Sequence, residues 1–96
     1  MANLAAQRDR LQQAFAVLFN DLLATWPKED IVYVAEEVEY NEYGEALEEL
    51  IAIGIKSGRG FTLDQIRQIE ELAAAMNLQD SEWLDQLPKS QSGQPN

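Results

Sequence analysis

From Leu4 to Trp26, apolar side chains return every three or four residues, at Leu4, Leu11, Ala14, Phe15, Leu18, Leu22 and Trp26, with Phe19 and Leu23 widening the stripe. That spacing follows the 3.6-residue turn of an α-helix and not the alternation of a strand. A helix of this length runs roughly 30 Å at about 1.5 Å per residue, as long as a small domain is wide. The other elements must therefore pack along it, and its broad stripe calls for more than one neighbour. A chain of 96 residues has material for one modest core and not for two.

Pro27 cannot continue that helix but suits the start of another, where Glu29 and Asp30 sit well against the positive end of the helix dipole. Ile31, Val34, Ala35 and Val38 then supply a second apolar stripe, and Asn41, which tolerates turn geometry, marks the joint to a third helix. Tyr43, Ala46, Leu47, Leu50 and Ile51 form the third stripe, with Gly44 and Ala46 small enough for close backbone approach. The segment from Ile51 to Ile55 alternates as a strand would, but it continues the preceding helical stripe and is read as helix. Ser57-Gly58-Arg59-Gly60 is a loop.

Thr62-Leu63-Asp64-Gln65 is a capping box, flanked by Phe61 and Ile66 as a hydrophobic staple. The fourth helix is expected to bury Ile66, Ile69, Leu72, Ala73 and Met76 and to end near Asn77. A short last turn carries Trp83, Leu84 and Leu87. The expected architecture is an all-α bundle of four main helices plus that turn, in residues 1–87, followed by a flexible polar tail over 88–96.

Charge narrows the choice of partner. The formal net charge is -10, which argues against nucleic acid and anionic membranes, since both are gripped by basic side chains. No apolar run approaches the roughly 20 residues that cross a bilayer, and Met1-Ala2-Asn3-Leu4 lacks the pattern of a secretory leader, so a cytoplasmic protein is expected. The chain has no His and no Cys, and no Ser stands beside a plausible base, so most catalytic schemes lack their parts. Paired carboxylates serve glycosidases only across a cleft, for which a small bundle has little room. Neither an EF-hand spacing nor a Glu-x-x-His helix motif is present. No catalytic residue, metal or cofactor is expected, and the protein is read as a non-enzyme.

The informative stretch is Glu36–Leu50, with seven glutamates, two tyrosines and no basic residue in fifteen positions. From Glu29 to Glu49 there are nine acids and no Lys or Arg, while the rest of the chain carries eight acids against seven bases. Glutamate runs are ordinarily solvated helix faces. Like charges this close repel, however, and Tyr33, Tyr40 and Tyr43 lie among them, a residue type enriched where interfaces carry their binding energy. The expected partner surface comprises Tyr33, Glu36, Glu37, Glu39 and Tyr40 from the second helix. Glu42, Tyr43, Glu45, Glu48 and Glu49 extend it beyond the joint.

Glu42-Tyr43-Gly44-Glu45-Ala46-Leu47-Glu48-Glu49-Leu50 resembles the signature of the MafI-type bacterial immunity proteins, in which an acid, an aromatic and often Gly precede an Ala-Leu-Glu-x-Leu helix. The resemblance extends from about Leu18 to Leu78. It takes in the Pro after the first helix, the Phe-Thr-Leu start of the fourth, and Ala75-Met76-Asn77-Leu78. Glu45 departs from it, standing where many members have an apolar or neutral residue. The resemblance implies a protein of bacterial competition, such as contact-dependent growth inhibition, that binds the C-terminal toxin domain of a cognate effector. Such toxins are often nucleases, whose basic substrate groove an acidic surface fits. The alternative readings are an acidic mimic of nucleic acid, or an antitoxin or adaptor that binds another basic protein.

Overall fold

The computed structural model describes the backbone of residues 4–90 and the side chains of residues 5–87. Four α-helices, α1 (Leu4–Leu22), α2 (Lys28–Glu39), α3 (Tyr43–Ser57) and α4 (Leu63–Ala75), are followed by a 3-10 helix, Glu82–Ser90. The fold is a small all-α bundle, as the three periodic stripes require. The segment from Ile51 to Ile55 is helical within α3. The 3-10 helix carries the backbone to Ser90, taking in the first three residues of the expected tail. The rest of that tail, and the Leu4 side chain, lie outside the described residues.

α1 ends earlier than its apolar spacing predicts. After Leu22 the chain tightens into a turn in which the Thr25 and Trp26 amides both donate to the Leu22 carbonyl, at 2.9 and 2.8 Å. Pro27 explains this, because the residue before a proline is disfavoured in helical backbone. Trp26 is still buried, and its ring packs on Phe61 with centroids 5.5 Å apart. Leu23 and Ala14, expected in the core, are both exposed.

The joint between α2 and α3 is a Schellman turn. Asn41 adopts left-handed geometry at φ 62°, its amide donates to the Val38 carbonyl and the Glu42 amide donates back to the Glu37 carbonyl at 2.9 Å. α4 closes in the same manner, with Asn77 at φ 61° and the Leu78 amide on the Ala73 carbonyl at 2.7 Å. At the start of α4 the capping box is complete: Thr62 Oγ1 accepts from the Gln65 amide and Gln65 Oε1 accepts from the Thr62 amide.

α3 lies at the centre of the packing, against α2, α4 and the 3-10 helix, while α1 covers α4 and α2. Tyr43, Ala46, Leu47, Leu50, Ile51 and Gly54 are its buried residues. Gly54 has a specific reason to be glycine. A Cβ there would stand 2.6 Å from two ring atoms of Phe61 and 3.3 Å from the Trp26 ring. Both rings are buried and have little freedom to yield. Alanine gains up to about 1 kcal/mol over glycine inside a helix, but overpacking a core costs about 1–3 kcal/mol. Gly54→Ala is therefore expected to lower the unfolding free energy by about 1–2 kcal/mol. Urea denaturation measures this, and an unchanged or raised midpoint would contradict the contact.

Candidate functional site

The ten residues expected to form a partner surface divide into three groups. The outer side of α2 presents Tyr33, Glu36 and Tyr40, which spacings of three and four bring to one face. Tyr33 is 54% exposed and Tyr40 76%, large aromatic surface left in water. Glu36 is exposed between them, and Glu39 lies one turn beyond it, also exposed. With Lys28, Glu29 and Val32, the side chains of Tyr33 and Glu36 enclose a shallow depression of about 440 Å³. Glu29 and Val32 were not anticipated in this surface. The signal was present, since 29, 33, 36 and 40 share one helical face and Val32 precedes Glu36 by one turn.

The second group is a seam between α2 and α3. Glu37 points from α2 toward α3 and is half-buried, as is Glu49 opposite it. Its Oε1 is enclosed by protein and meets no hydrogen-bond donor among the described residues. Burial pushes the Glu37 carboxyl above its usual range, and the nearby carboxylates of Glu49, Glu42 and Glu45 push it further. Glu42 from the joint and Glu45 and Glu49 from α3 thus act on the charge of Glu37 from α2. Glu48 is exposed on the solvent side of α3. The Schellman turn is what folds Glu42 back toward Glu37.

Tyr43 forms the third group alone and is a correction. Expected to face a partner, it is only 9% exposed. Its ring stacks on Phe15 with centroids 6.2 Å apart and planes at 23°. The hydroxyl donates to Asn41 Oδ1 at 2.8 Å and accepts from Gln12 Nε2 at 3.4 Å. Its place in the stripe with Ala46, Leu47 and Leu50 overrides its aromatic character. Tyr43 braces the left-handed Asn41 turn, and so holds the seam without belonging to its surface.

Among the described residues no three acidic side chains are grouped to hold a metal ion, and no helix is long and apolar enough to cross a membrane. What the surface offers is negative charge, two exposed aromatic rings and an incompletely solvated carboxylate. No family model matches the chain, and neither a curated protein nor a solved structure matches it.

A raised carboxyl pKa has a defined consequence for stability. The folded chain holds the Glu37 proton more tightly than the unfolded chain, so stability falls as pH rises through the window between the two values. Below that window the carboxyl is neutral in both states and the cost vanishes. Glu37→Gln is expected to raise the melting temperature at neutral pH, with the gain shrinking toward about pH 4, near the ordinary carboxylate value. A gain that stays constant across that range, or a loss at neutral pH, would contradict the desolvated seam.

Proposed function

We propose that the chain is an immunity protein that binds and silences the basic C-terminal toxin domain, a nuclease, of a cognate bacterial effector. It acts by binding and carries no catalysis of its own. The observation that carries this reading is the outer face of α2, where Tyr33 and Tyr40 stand largely in water beside Glu36 and next to the four-carboxylate seam. Exposed tyrosines on an acidic surface have the composition of an anchor for a cationic protein: a rigid ring for contact area and a polar tip for a hydrogen bond. The MafI-type resemblance of Glu42–Leu50 leads to the same partner, and two adjacent helices can supply the roughly 800 Å² that a standard interface takes from each side.

The two parts of the surface have different tasks. The carboxylates raise the encounter rate with a basic groove and lose that effect in salt, whereas the tyrosines set the lifetime of the complex. Within the seam, a guanidinium or ammonium from the toxin meets the Glu37 oxygen that has no donor among the described residues. Neutralising the nuclease groove by occupancy blocks its nucleic-acid substrate without any change in the toxin's chemistry.

Co-purification from the native host, followed by mass spectrometry, tests the partner. Recovery of a protein with a nuclease-like C-terminal domain supports the reading, and recovery of this chain alone counts against it. With that domain in hand, Glu36→Lys and Glu45→Lys are expected to slow association at low salt with little change at high salt. Tyr33→Ala and Tyr40→Ala are each expected to weaken binding about tenfold, equivalent to about 1.4 kcal/mol, mainly through faster dissociation. Tyr43→Phe keeps the ring in the core and leaves binding within about twofold, a change of roughly 0.4 kcal/mol. Association rates that ignore both charge and salt would remove the electrostatic half of the mechanism.

A further inference from the structure

Two rows of side chains run along the outer side of α2. Lys28, Val32, Glu36 and Tyr40 make one and Glu29 and Tyr33 the other, each at the four-residue spacing of a helix ridge. The depression of about 440 Å³ is the trough between them, with Lys28, Val32 and Glu36 on one side and Glu29 and Tyr33 on the other. Its middle is apolar, where Val32 is 46% and Tyr33 54% exposed. Its ends differ in charge. Lys28 offsets Glu29 at the start of α2, whereas Glu36 and the exposed Glu39 beyond it have no basic neighbour in the helix. Lys28, Glu29 and Glu36 have no ion-pair partner among the described residues.

We infer that this trough receives a helix of the partner protein, whose docking ridge carries an apolar side chain and, four residues from it, a Lys or Arg. Charge selects the occupant. A second copy laid α2 on α2 would set Glu29, Glu36 and Glu39 of each against the other, in a chain of formal charge -10. Nucleic acid brings the same conflict, so the occupant is a cationic segment of another protein. Shape selects a helix. The trough between two four-residue rows accepts the matching row of a second helix, which crosses at about −50°. An extended segment would press backbone amides and carbonyls onto a helix surface that offers them no partner, whereas a helix satisfies its own.

Position within the row follows from the order of the side chains. Four residues advance any helix by about 6 Å, so an apolar residue over Val32 and Tyr33 places its basic neighbour at Glu36. Lys28 repels a cation at the other end, which fixes the direction in which the pair is read. The inference deepens the immunity reading and rests on it for the identity of the partner as a toxin domain. The form of the docking element, a helix, rests on α2 alone.

A synthetic peptide tests the trough without the toxin. The probe is an alanine-based helix of about 18 residues, long enough to be helical alone, with Leu and Arg four positions apart. It is titrated to about 5 mM into the isotope-labelled full chain and followed by NMR, a range suited to a millimolar dissociation constant. Saturable shifts are expected at Val32, Tyr33 and Glu36. A control of the same composition has Arg two positions from Leu, about 200° round the helix, and is expected to bind about fivefold more weakly. Val32→Lys changes an exposed position, spares the fold, and is expected to weaken binding about tenfold. Shifts that never saturate, equal binding of the two peptides, or undiminished binding to Val32→Lys overturns the proposal. A nuclease domain co-purified with a chain that ignores the peptide removes the helix and keeps the immunity reading. Peptide binding with no nuclease domain recovered does the reverse.

Discussion

α3 is packed on three other elements at once, and its buried face is what allows two acidic helices to lie side by side. Along the seam the carboxylates of Glu42 in the joint and Glu45 and Glu49 in α3 bear on that of Glu37 in α2. Repulsion between partly solvated like charges costs a few tenths of a kcal/mol to about 1 kcal/mol per pair. Each fully buried Val, Leu or Ile contributes about 1.5–3 kcal/mol. Val34, Leu47, Leu50 and Ile51 are all essentially without exposure, so the apolar term wins several times over. The acids ride on the packing and do not direct it.

The same hierarchy explains what could be read from the residues and what could not. Apolar periodicity is a core signal, and it placed all four helices, while turn chemistry marked the joint at Asn41 and the Thr62–Gln65 pattern marked the capping box. It fails where a second constraint acts on the same residues. α1 stops at Leu22 because Pro27 bends the chain ahead of it, although Trp26 keeps the helical spacing. Ala14 belongs to the stripe by number, yet it lies exposed and lines a groove between α1 and α4 that the packing leaves open. Gly54 is unreadable for a different reason. The rings that exclude a side chain there come from Phe61, beyond the loop, and Trp26, before α2, and no local pattern announces either.

The candidate surface was legible in composition and illegible in division. Nine acids within 21 positions are visible in any listing of the chain, from Glu29 to Glu49. Helical geometry then sorts them: residues one apart differ by about 100° around a helix, so Glu36 and Glu37 face different surroundings. Glu36 joins the tyrosines in water and Glu37 turns into the seam. Tyr43 shows the competition directly, since it carries both an interface-like side chain and a core-like spacing. The core took it, and its hydroxyl was put to use on the Asn41 turn.

That division bears on why a folded monomer would keep such a seam. One Glu37 carboxyl oxygen meets no donor among the described residues, and burial and the charges of Glu49, Glu42 and Glu45 push the carboxyl above its usual range. A stability cost retained at one surface position is the ordinary sign of a site shaped for something other than folding. On the proposed function, a cation from a partner would supply a donor to that oxygen and relieve the repulsion in one contact, which a carboxylate fully hydrated in the free chain could not offer. The tyrosines add contact area on the adjoining face, where no like charge has to be overcome. In the proposed complex the seam would select for positive charge and the outer face of α2 would add contact area, with the Asn41 turn, braced by the Tyr43 hydroxyl, joining the two.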